Sequence, residues 1–350
     1  MKIHEKYMSR CLQLAKNGLG NTYPNPMVGS VIVYEDRIIG EGWHQQAGQP
    51  HAEVNAVNSV NDQSLLDKSI IYVSLEPCSH YGKTPPCSDL IIAKGIKKVV
   101  IGTVDPFAEV AGRGIKKLLD AGCEVLVGVL EQECQQLNKR FFTFHQQKRP
   151  YIILKWAESL DGFIAPEAKS RSTREPVWIT NAYSKQLVHK WRAEEQSILV
   201  GTKTVEADNP SLTTRDWSGK SPTRIVLDRE LKIFEESRAF DESATTLVFT
   251  EKSKESTSST KYITVDFDKN LITEVLQTLY KEGLQSVIIE GGSATLQNFI
   301  DQKLWDEARV FKGKQNFHNG ISAPKLSNAQ PIRSSQLTGD HLVYYTHVND

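Results

Sequence analysis

The sequence predicts an α/β protein of two domains, and three observations support this. At 350 residues the chain exceeds what one hydrophobic core usually serves. Short apolar runs rich in Val and Ile alternate with helical stretches in both halves, a pattern typical of layered α/β folds. The polar, proline-ended segment at 147–150 separates the halves. We therefore expect domains over residues 1–146 and 151–350.

The first domain begins with an amphipathic stretch near residues 4–17, which predicts a helix that Gly18 ends at its C′ position. A hairpin that turns at Glu35-Asp36 follows, and then a helix over 51–60. Three further apolar runs have strand composition and are separated by helical stretches that end at glycines. The predicted strands cover 27–33, 37–42, 70–75, 98–103 and 124–129, and the helices between the last three cover 88–94 and 114–121. This alternation predicts a three-layer α/β domain.

The second domain repeats the alternation without an internal sequence repeat. A new strand at 151–155 follows directly after the boundary. The segment 251–261 is dense in Ser, Thr, Lys and Glu, which predicts a solvated surface loop. Further strands are predicted at 197–200, 224–227, 246–249, 262–265, 286–289 and 342–346, and helices at about 181–194 and 270–282, with another from Ser293.

Charge and composition exclude several classes of protein. The formal net charge is zero, which argues against the broad basic surface that nucleic-acid binding needs. The charged N-terminus does not resemble a signal peptide, and no apolar stretch is long enough to span a bilayer. Five cysteines in a chain without a secretion signal favour metal or catalytic use over disulfides. We expect a cytoplasmic protein that acts on small molecules.

One group of residues indicates metal chemistry. His51 and Glu53 form an HxE pair, followed later by Cys78 and Cys87. One imidazole and two thiolates leave the fourth corner of a tetrahedral zinc open, as a water-activating site requires. Zinc in such a site lowers the pKa of a bound water to about 7. Glu53 is placed to move the protons, so we predict a catalytic zinc site.

The alternative is a closed structural zinc site, or simply buried side chains. His44 and His80 are the plausible fourth ligands for such a site. Glu53 discriminates between the two interpretations, because a structural site has no need of a carboxylate in that position. No other fourth ligand has suitable spacing, which favours the catalytic interpretation.

Longer motifs surround the predicted metal ligands. Residues 76–87 read EPCSHYGKTPPC, and residues 22–29 read TYPNPMVG. The HxE and PC elements match the zinc deaminase signature, and the longer motifs resemble the deaminase half of the bifunctional deaminase/reductase family of riboflavin biosynthesis. The resemblance implies a cytidine-deaminase-like three-layer α/β fold. It also implies a diaminopyrimidinone substrate that carries a ribosylamino 5′-phosphate, with contacts from Asn25, His44, Lys83 and Asp105.

The chain departs from the family pattern at one place near this site. Residues 105–108 read DPFA, where the family usually has Asp-Pro-Asn-Pro. Phe107 thus replaces a polar amide with an aromatic ring. The neighbouring residues 110–114, VAGRG, match the usual pattern.

The second half carries motifs that resemble the reductase half of the same family. They read KWAESLDG at 155–162, VWIT at 177–180, GTKTVEADNPSLTTR at 201–215 and IEGGS at 289–293. The resemblance implies a dihydrofolate-reductase-like fold and NADPH as cofactor. No GxGxxG follows a strand, so a Rossmann dinucleotide site is not predicted. Instead, backbone N–H groups after the Gly291-Gly292 pair are predicted to meet the pyrophosphate at a helix N-terminus.

The resemblance also assigns binding residues and a reaction to this half. The reaction is hydride transfer to C1 of the ribose in its opened, imine-like form, and two arginines suit the ribose phosphate. Lys155 and Glu290 are both candidates for the general acid. The NADPH contacts it implies are Ala157, Trp178, Thr204, Asp208, Gly292, Ser293, Ala294, Thr295 and Leu296, and the substrate contacts are Lys155, Arg192, Leu212, Arg215 and Glu290.

Two other functions stay open at this point. One is a zinc deaminase of another nucleobase or nucleotide whose second half no longer reduces anything. The other is a metabolite-binding protein that uses zinc as a structural clip. The subunit number is equally open between a monomer and a homo-oligomer, dimer or tetramer.

Overall fold

The chain divides into two units, Met1–Lys148 and Arg149–Asp350. The structure is a computed structural model that describes residues 2–81, 85–107, 111–167 and 177–348. Within these ranges no helix combines the length and the apolar character needed to cross a lipid bilayer. Both units are built from α-helices packed on a β-sheet, as predicted.

The first unit contains a five-stranded sheet in the order β2-β1-β3-β4-β5, with β1 antiparallel to both of its neighbours and β3, β4 and β5 parallel. The strands are β1 (Gly29–Tyr34), β2 (Arg37–Trp43), β3 (Ile70–Leu75), β4 (Lys98–Thr103) and β5 (Glu124–Val127). The helices are α1 (Lys2–Ala15), α2 (Ala52–Asn58), α3 (Cys87–Ala93), α4 (Arg113–Asp120), α5 (Glu131–Leu137) and α6 (Lys139–Gln147).

Side chains of alternate strand residues enter cores on opposite faces of this sheet. Ile71 and Val73 of β3 lie in a cluster with residues of α2, α3 and α4, whereas Tyr72 packs with residues of α1 and α5. This alternation follows from the two-residue period of a strand. Because β3 and β4 are parallel, the segments that follow their carboxyl ends leave from the same edge of the sheet. The observed layers agree with the predicted three-layer domain.

Several predicted boundaries in the first unit differ from the structure, and two of these differences have a clear physical reason. Gly18 does not end α1 as a C′ residue, because the chain continues as a 3₁₀ turn over Lys16–Gly18. Gly18 is required instead for packing, since a Cβ there would lie 2.8 Å from the carbonyl oxygen of His44. Strand β5 ends at Val127 rather than at 129, because Gly128 has a φ of +94° and leaves the extended conformation.

The second unit contains a nine-stranded sheet in the order β11-β10-β9-β8-β12-β6-β13-β16-β15 and a two-stranded sheet of β7 and β14. The strands from β11 to β13 along this order are parallel, and the β13-β16-β15 edge is antiparallel. The strands are β6 (Tyr151–Glu158), β7 (Phe163–Pro166), β8 (Ser197–Gly201), β9 (Thr223–Leu227), β10 (Thr246–Thr250), β11 (Thr260–Thr264), β12 (Ser286–Ile289), β13 (Glu307–Lys312), β14 (Gly320–Ser322), β15 (Ala329–Leu337) and β16 (Asp340–His347). The helices are α7 (Ala182–Glu194), α8 (Thr202–Asp208), α9 (Leu271–Lys281) and α10 (Ser293–Asp301).

The sequence missed several elements of this unit. Strand β13 carries the buried polar residues Glu307 and Arg309, which interrupt its apolar pattern. Strand β15 is mostly exposed at the edge of the sheet and contains Pro331, which edge strands tolerate. The predicted surface loop is exposed over most of its length, but β11 begins inside it at Thr260.

Candidate active sites

The predicted metal ligands converge at one edge of the first sheet. His51 is the N-cap of α2, Cys78 follows β3, and Cys87 is the first residue of α3. Nδ1 of His51 lies 3.6 Å from Sγ of Cys78 and 3.4 Å from Sγ of Cys87. The three side chains form a group whose ligand atoms lie within 4.8 Å of one another.

These distances fit tetrahedral zinc. Zn–S bonds of about 2.3 Å and Zn–N bonds of about 2.0–2.1 Å at the tetrahedral angle separate the sulfur and nitrogen atoms by about 3.6 Å. The observed separations of 3.4 and 3.6 Å agree with this value. Three protein ligands leave the fourth position for a water or a substrate.

The electrostatics of the group suit a metal ion beside an acid-base residue. A hydrogen bond with Cys87, together with His51, lowers the pKa of Cys78 to about 4, which provides a thiolate. Glu53, in the first turn of α2, is only 3% exposed. Burial, with a further contribution from Cys78, raises the pKa of Glu53 to about 7. A carboxyl group with this pKa can exchange protons near neutral pH.

Two predicted substrate contacts lie beside the metal ligands. The ring of His44 is edge-on to that of His51, with ring centroids 5.3 Å apart. Nδ1 of His44 is 3.2 Å from the carbonyl oxygen of Pro50, and Nε2 is 3.1 Å from the side-chain amide nitrogen of Asn25. Since a carbonyl only accepts, we assign the proton of His44 to Nδ1. Burial lowers the pKa of His44, which favours this neutral form.

Glu76, buried at the end of β3, was not predicted as a functional residue. Its carboxylate accepts backbone N–H hydrogen bonds from Asp105 at 3.3 Å, from Gly112 and Gly114 at 2.9 Å, and from Ile115 at 3.2 Å. It thereby connects the start of α4 and the end of β4 to the segment that carries Cys78. Its position directly before the PC element was the available sequence signal.

Gly114 permits this close packing. A Cβ at Gly114 would lie 2.0 Å from the carbonyl oxygen of Pro77. No other residue fits there without a backbone shift, which explains the glycine in the VAGRG stretch.

Asp105 lies half-buried after β4, on the same sheet edge as the metal ligands. Burial raises its pKa to about 6, and its carboxylate accepts the N–H of Phe107 at 2.8 Å. The Phe107 ring packs against His145, with centroids 5.1 Å apart. Lys83 and Ala108 lie outside the described residues.

The second unit contains a cavity of about 1420 Å³. This volume exceeds the roughly 300–1,000 Å³ of a site for one small ligand, so it can hold a cofactor and a substrate together. All of the predicted reductase residues line this cavity: Lys155, Ala157, Trp178, Arg192, Thr204, Asp208, Leu212, Arg215, Glu290, Gly292, Ser293, Ala294, Thr295 and Leu296.

A buried charge cluster forms part of the cavity wall. Glu290 Oε2 accepts a hydrogen bond from Arg192 at 2.7 Å, and Glu290 Oε1 is 3.7 Å from Lys155 Nζ. Burial alone would raise the pKa of Glu290, but Arg192 and Lys155 lower it to about 2. Burial lowers the pKa of Lys155. Arg192 Nε is buried without a hydrogen-bond partner among the described atoms.

The start of α10 offers backbone donors to the same cavity. Gly292 is the N-cap of α10 and provides no side-chain cap, while its own N–H donates to Thr204 Oγ1 at 2.9 Å. Gly291 is packed against the turn after β8, where a Cβ would lie 2.8 Å from the backbone nitrogen of Gly201. The uncapped N–H groups of the first turn of α10 form an anion-binding end of the helix.

Family models match both halves of the chain. Residues 1–103 match the cytidine and deoxycytidylate deaminase zinc-binding region, and residues 150–313 match the RibD C-terminal domain. The riboflavin biosynthesis protein RibD of Aquifex aeolicus is 40% identical over 93% of this chain and 91% of its own length. The chain belongs to the RibD family. Escherichia coli RibD is 36% identical over 88% of this chain and 86% of its own length.

A solved structure extends the similarity to the whole RibD fold. The Thermotoga maritima diaminohydroxyphosphoribosylaminopyrimidine deaminase/5-amino-6-(5-phosphoribosylamino)uracil reductase is 37% identical, with a TM-score of 0.87 and 99% of each chain covered. The predicted family is confirmed. The predicted fold class, a cytidine-deaminase-like unit followed by a dihydrofolate-reductase-like unit, is also confirmed.

In this member of the RibD family the structure brings together most of the residues that the motifs indicated. The metal ligands, Glu53, Asn25, His44 and Asp105 share one edge of the first sheet. Glu76 and His189 were not predicted from the sequence, and both accept hydrogen bonds from backbone N–H groups of distant residues. The roles of the predicted site residues in binding or catalysis remain predictions.

Proposed function

We propose that this chain is a bifunctional enzyme of riboflavin biosynthesis. The first unit removes an amino group from 2,5-diamino-6-(5-phosphoribosylamino)pyrimidin-4(3H)-one by hydrolysis. The second unit reduces the ribosyl group of the resulting 5-amino-6-(5-phosphoribosylamino)uracil to the ribityl form, with NADPH. The observation that carries this proposal is that one RibD-family chain contains the His51/Cys78/Cys87 group beside a buried carboxylate and a separate cavity lined by the reductase motifs.

The deamination follows from the arrangement around His51, Cys78 and Cys87. Zinc bound by these residues would supply an activated water in the open fourth position. Glu53 accepts a proton from the attacking water and delivers it to the departing amino group, which leaves as ammonia. The pKa of about 7 allows Glu53 to perform both transfers near neutral pH.

Recognition of the pyrimidine falls to the polar side chains next to the metal ligands. The Asn25 amide can hydrogen-bond a ring edge, and its contact with His44 fixes its orientation. Asp105 offers a carboxylate on the same side, while Glu76 holds its backbone in place. Lys83 is the proposed cation for the phosphate of this substrate.

The reduction uses the charge cluster of the second unit. NADPH held in this cavity would supply the hydride for C1 of the opened ribosylimine, whose nitrogen must gain a proton from the protein. Glu290, with a pKa of about 2, stays ionised and is a poor proton donor. Lys155, whose pKa burial lowers, is the better general acid, and we assign it that role. Arg192 and Arg215 bind the phosphate of the substrate.

Replacing Glu53 by Gln tests the deaminase half of the proposal. The substitution keeps the shape of the side chain and removes its proton-transfer function. We expect the Glu53→Gln variant to retain one zinc per chain and to release ammonia at least about 10²-fold more slowly than the wild type. The Glu133→Gln variant, at an exposed position in α5, is the matched control and should behave like the wild type.

Zinc content and ammonia release from the diaminopyrimidinone phosphate are measured on the same samples. Equal rates of ammonia release in the Glu53→Gln and wild-type proteins would show that Glu53 does not transfer protons. A wild type that binds zinc but releases no ammonia would favour a structural role for the metal.

A further inference from the structure

Helix α7 presents a row of nitrogen-bearing side chains to the cavity of the second unit. Lys185, His189 and Arg192 follow one another at intervals of four and three residues, so they share a helix face, and all three line the cavity. Arg215, on the loop after α8, lines the cavity as well. The proposed function uses Arg192 and Arg215 but assigns no task to His189.

His189 holds the backbone of Arg215. Its side chain is 2% exposed, and its Nδ1 lies 3.1 Å from the backbone nitrogen of Arg215. Because a backbone N–H only donates, Nδ1 must be the acceptor, and the ring proton then lies on Nε2. Nε2 is 3.5 Å from a carboxylate oxygen of Asp216, the next residue along the chain. Both ring nitrogens of His189 therefore face the same short loop.

The two arginines converge on the part of the loop that His189 fixes. The Arg215 guanidinium donates to Oγ1 of Thr213 at 3.1 Å, and Arg192 donates to the carbonyl oxygen of Thr213 at 3.4 Å. Burial and the nearby Arg192 charge lower the pKa of Arg215, so the charge of Arg215 is disfavoured by its neighbour. A phosphate between them would relieve this repulsion.

We propose that His189 is a positioning residue, which fixes the Arg215 loop so that Arg192 and Arg215 together bind the phosphate of the reductase substrate. This inference rests on the proposed function, since it concerns the sugar phosphate that the second unit reduces. His189 acts through Arg215 and does not itself contact the reacting atoms.

The surroundings of His189 keep its ring in the form that this role requires. Burial, followed by the charge of Arg192, lowers the pKa of His189 to about 4, although Asp216 opposes the shift. The imidazole is therefore neutral at pH 7, and Nδ1 remains an acceptor. Protonated Nδ1 would place a donor against the N–H of Arg215.

Two substitutions separate this positioning role from simple packing. In the His189→Asn variant, Oδ1 can occupy the place of Nδ1 and accept the same hydrogen bond. The His189→Leu variant keeps apolar volume but has no acceptor. Lys190→Gln is the control on the same helix, because Lys190 is partly exposed and pairs with Glu194.

Steady-state kinetics with 5-amino-6-(5-phosphoribosylamino)uracil and NADPH give the first readout. We expect His189→Leu to raise the KM for the sugar phosphate about tenfold while kcat and the KM for NADPH change little. His189→Asn should restore the KM to within about threefold of the wild type. Equal KM values for the Leu and Asn variants, or an equal rise in the KM for NADPH, would overturn the proposal.

A second readout does not depend on turnover. The binding of ribose 5-phosphate to the full chain is measured by ³¹P NMR with NADPH present. The part of the binding that is lost in the Arg215→Ala variant defines this site and separates it from any other phosphate site. We expect His189→Leu to weaken this Arg215-dependent binding of ribose 5-phosphate and His189→Asn to leave it unchanged.

If the wild type failed to oxidise NADPH but showed this pattern, the proposed function would fail and the role of His189 would stand. If His189→Leu bound ribose 5-phosphate like the wild type, the role of His189 would fail alone.

Discussion

At the scale of single residues, burial and neighbouring charges separate side chains that the sequence could not tell apart. Lys155 and Glu290 were equal candidates for the general acid until their surroundings were known. Arg192 and Lys155 keep Glu290 ionised, with a pKa of about 2, whereas burial lowers the pKa of Lys155 and eases release of its proton. Because of this difference we propose Lys155 as the proton donor and Glu290 as the residue that holds the cluster together.

Replacing Lys155 by Met tests this assignment. The change keeps the length of the side chain and removes its ammonium group. We expect kcat for NADPH oxidation with the uracil substrate to fall by about 10²-fold or more, because general acid catalysis contributes about 10²–10⁴-fold. Ammonia release by the first unit should be unchanged. The Lys281→Met variant, at the exposed end of α9, is the control. A fall in kcat below threefold would remove Lys155 from the proton transfer.

Residues within long motifs were predictable from the sequence, and residues that act through backbone contacts were not. The HxE pair and the two cysteines indicate metal binding by their residue types and their order in the sequence. Glu76 and His189 act by accepting backbone N–H groups 26 to 39 positions away, and such pairings appear only in the folded chain. The helical spacing of His189 and Arg192, a predicted substrate contact, was the available sequence signal.

At the scale of elements, Glu76 links the end of β3 to α4 and to the end of β4. A buried carboxylate with several backbone donors forms charge-assisted hydrogen bonds, which are stronger than neutral ones. The segment with Cys78 and the loop with Asp105 are thus held by one side chain. We infer that the geometry of the metal ligands depends on Glu76.

The Glu76→Ala variant should therefore lose stability and zinc together. Removing the carboxylate leaves the buried N–H of Gly114 unpaired, which costs about 1–3 kcal/mol, and also the part-buried N–H of Gly112, which costs less. We expect the calorimetric Tm of the first unit to fall by about 5–10 °C and zinc content to decrease. Glu76→Gln keeps one acceptor oxygen and should lie between Ala and the wild type. Unchanged zinc content and ammonia release in Glu76→Ala would contradict this role.

The elements that the sequence predicted well are those whose burial is uniform. Strands β3, β4 and β12 match their predicted limits, because each is a continuous apolar run between polar turns. Strands β13 and β15 were missed for opposite reasons. The first buries charged residues, and the second is an exposed edge with little apolar pattern. Burial of charge depends on tertiary partners, which composition does not reveal.

At the scale of the whole molecule, the two units are expected to catalyse different reactions and to require different cofactors. The chemistry proposed for the first unit depends on three metal ligands, whereas no such group of possible ligands among the described residues lines the cavity of the second unit. Removal of zinc should therefore affect one activity only.

Chelation followed by buffer exchange should abolish ammonia release and leave NADPH oxidation with the uracil substrate within about twofold of its starting rate. Added zinc should restore ammonia release. Loss of both activities on chelation would contradict the separation.

Product analysis by mass spectrometry, starting from the diaminopyrimidinone phosphate with NADPH present, shows directly whether each unit carries out its own reaction. We expect the wild type to form the ribitylamino product and the Arg215→Ala variant to accumulate the deaminated uracil. The Glu53→Gln variant should leave the substrate unchanged, yet reduce the uracil when it is supplied directly. If blocking one unit failed to stop the reaction at the predicted compound, the assignment of one reaction to each unit would be contradicted.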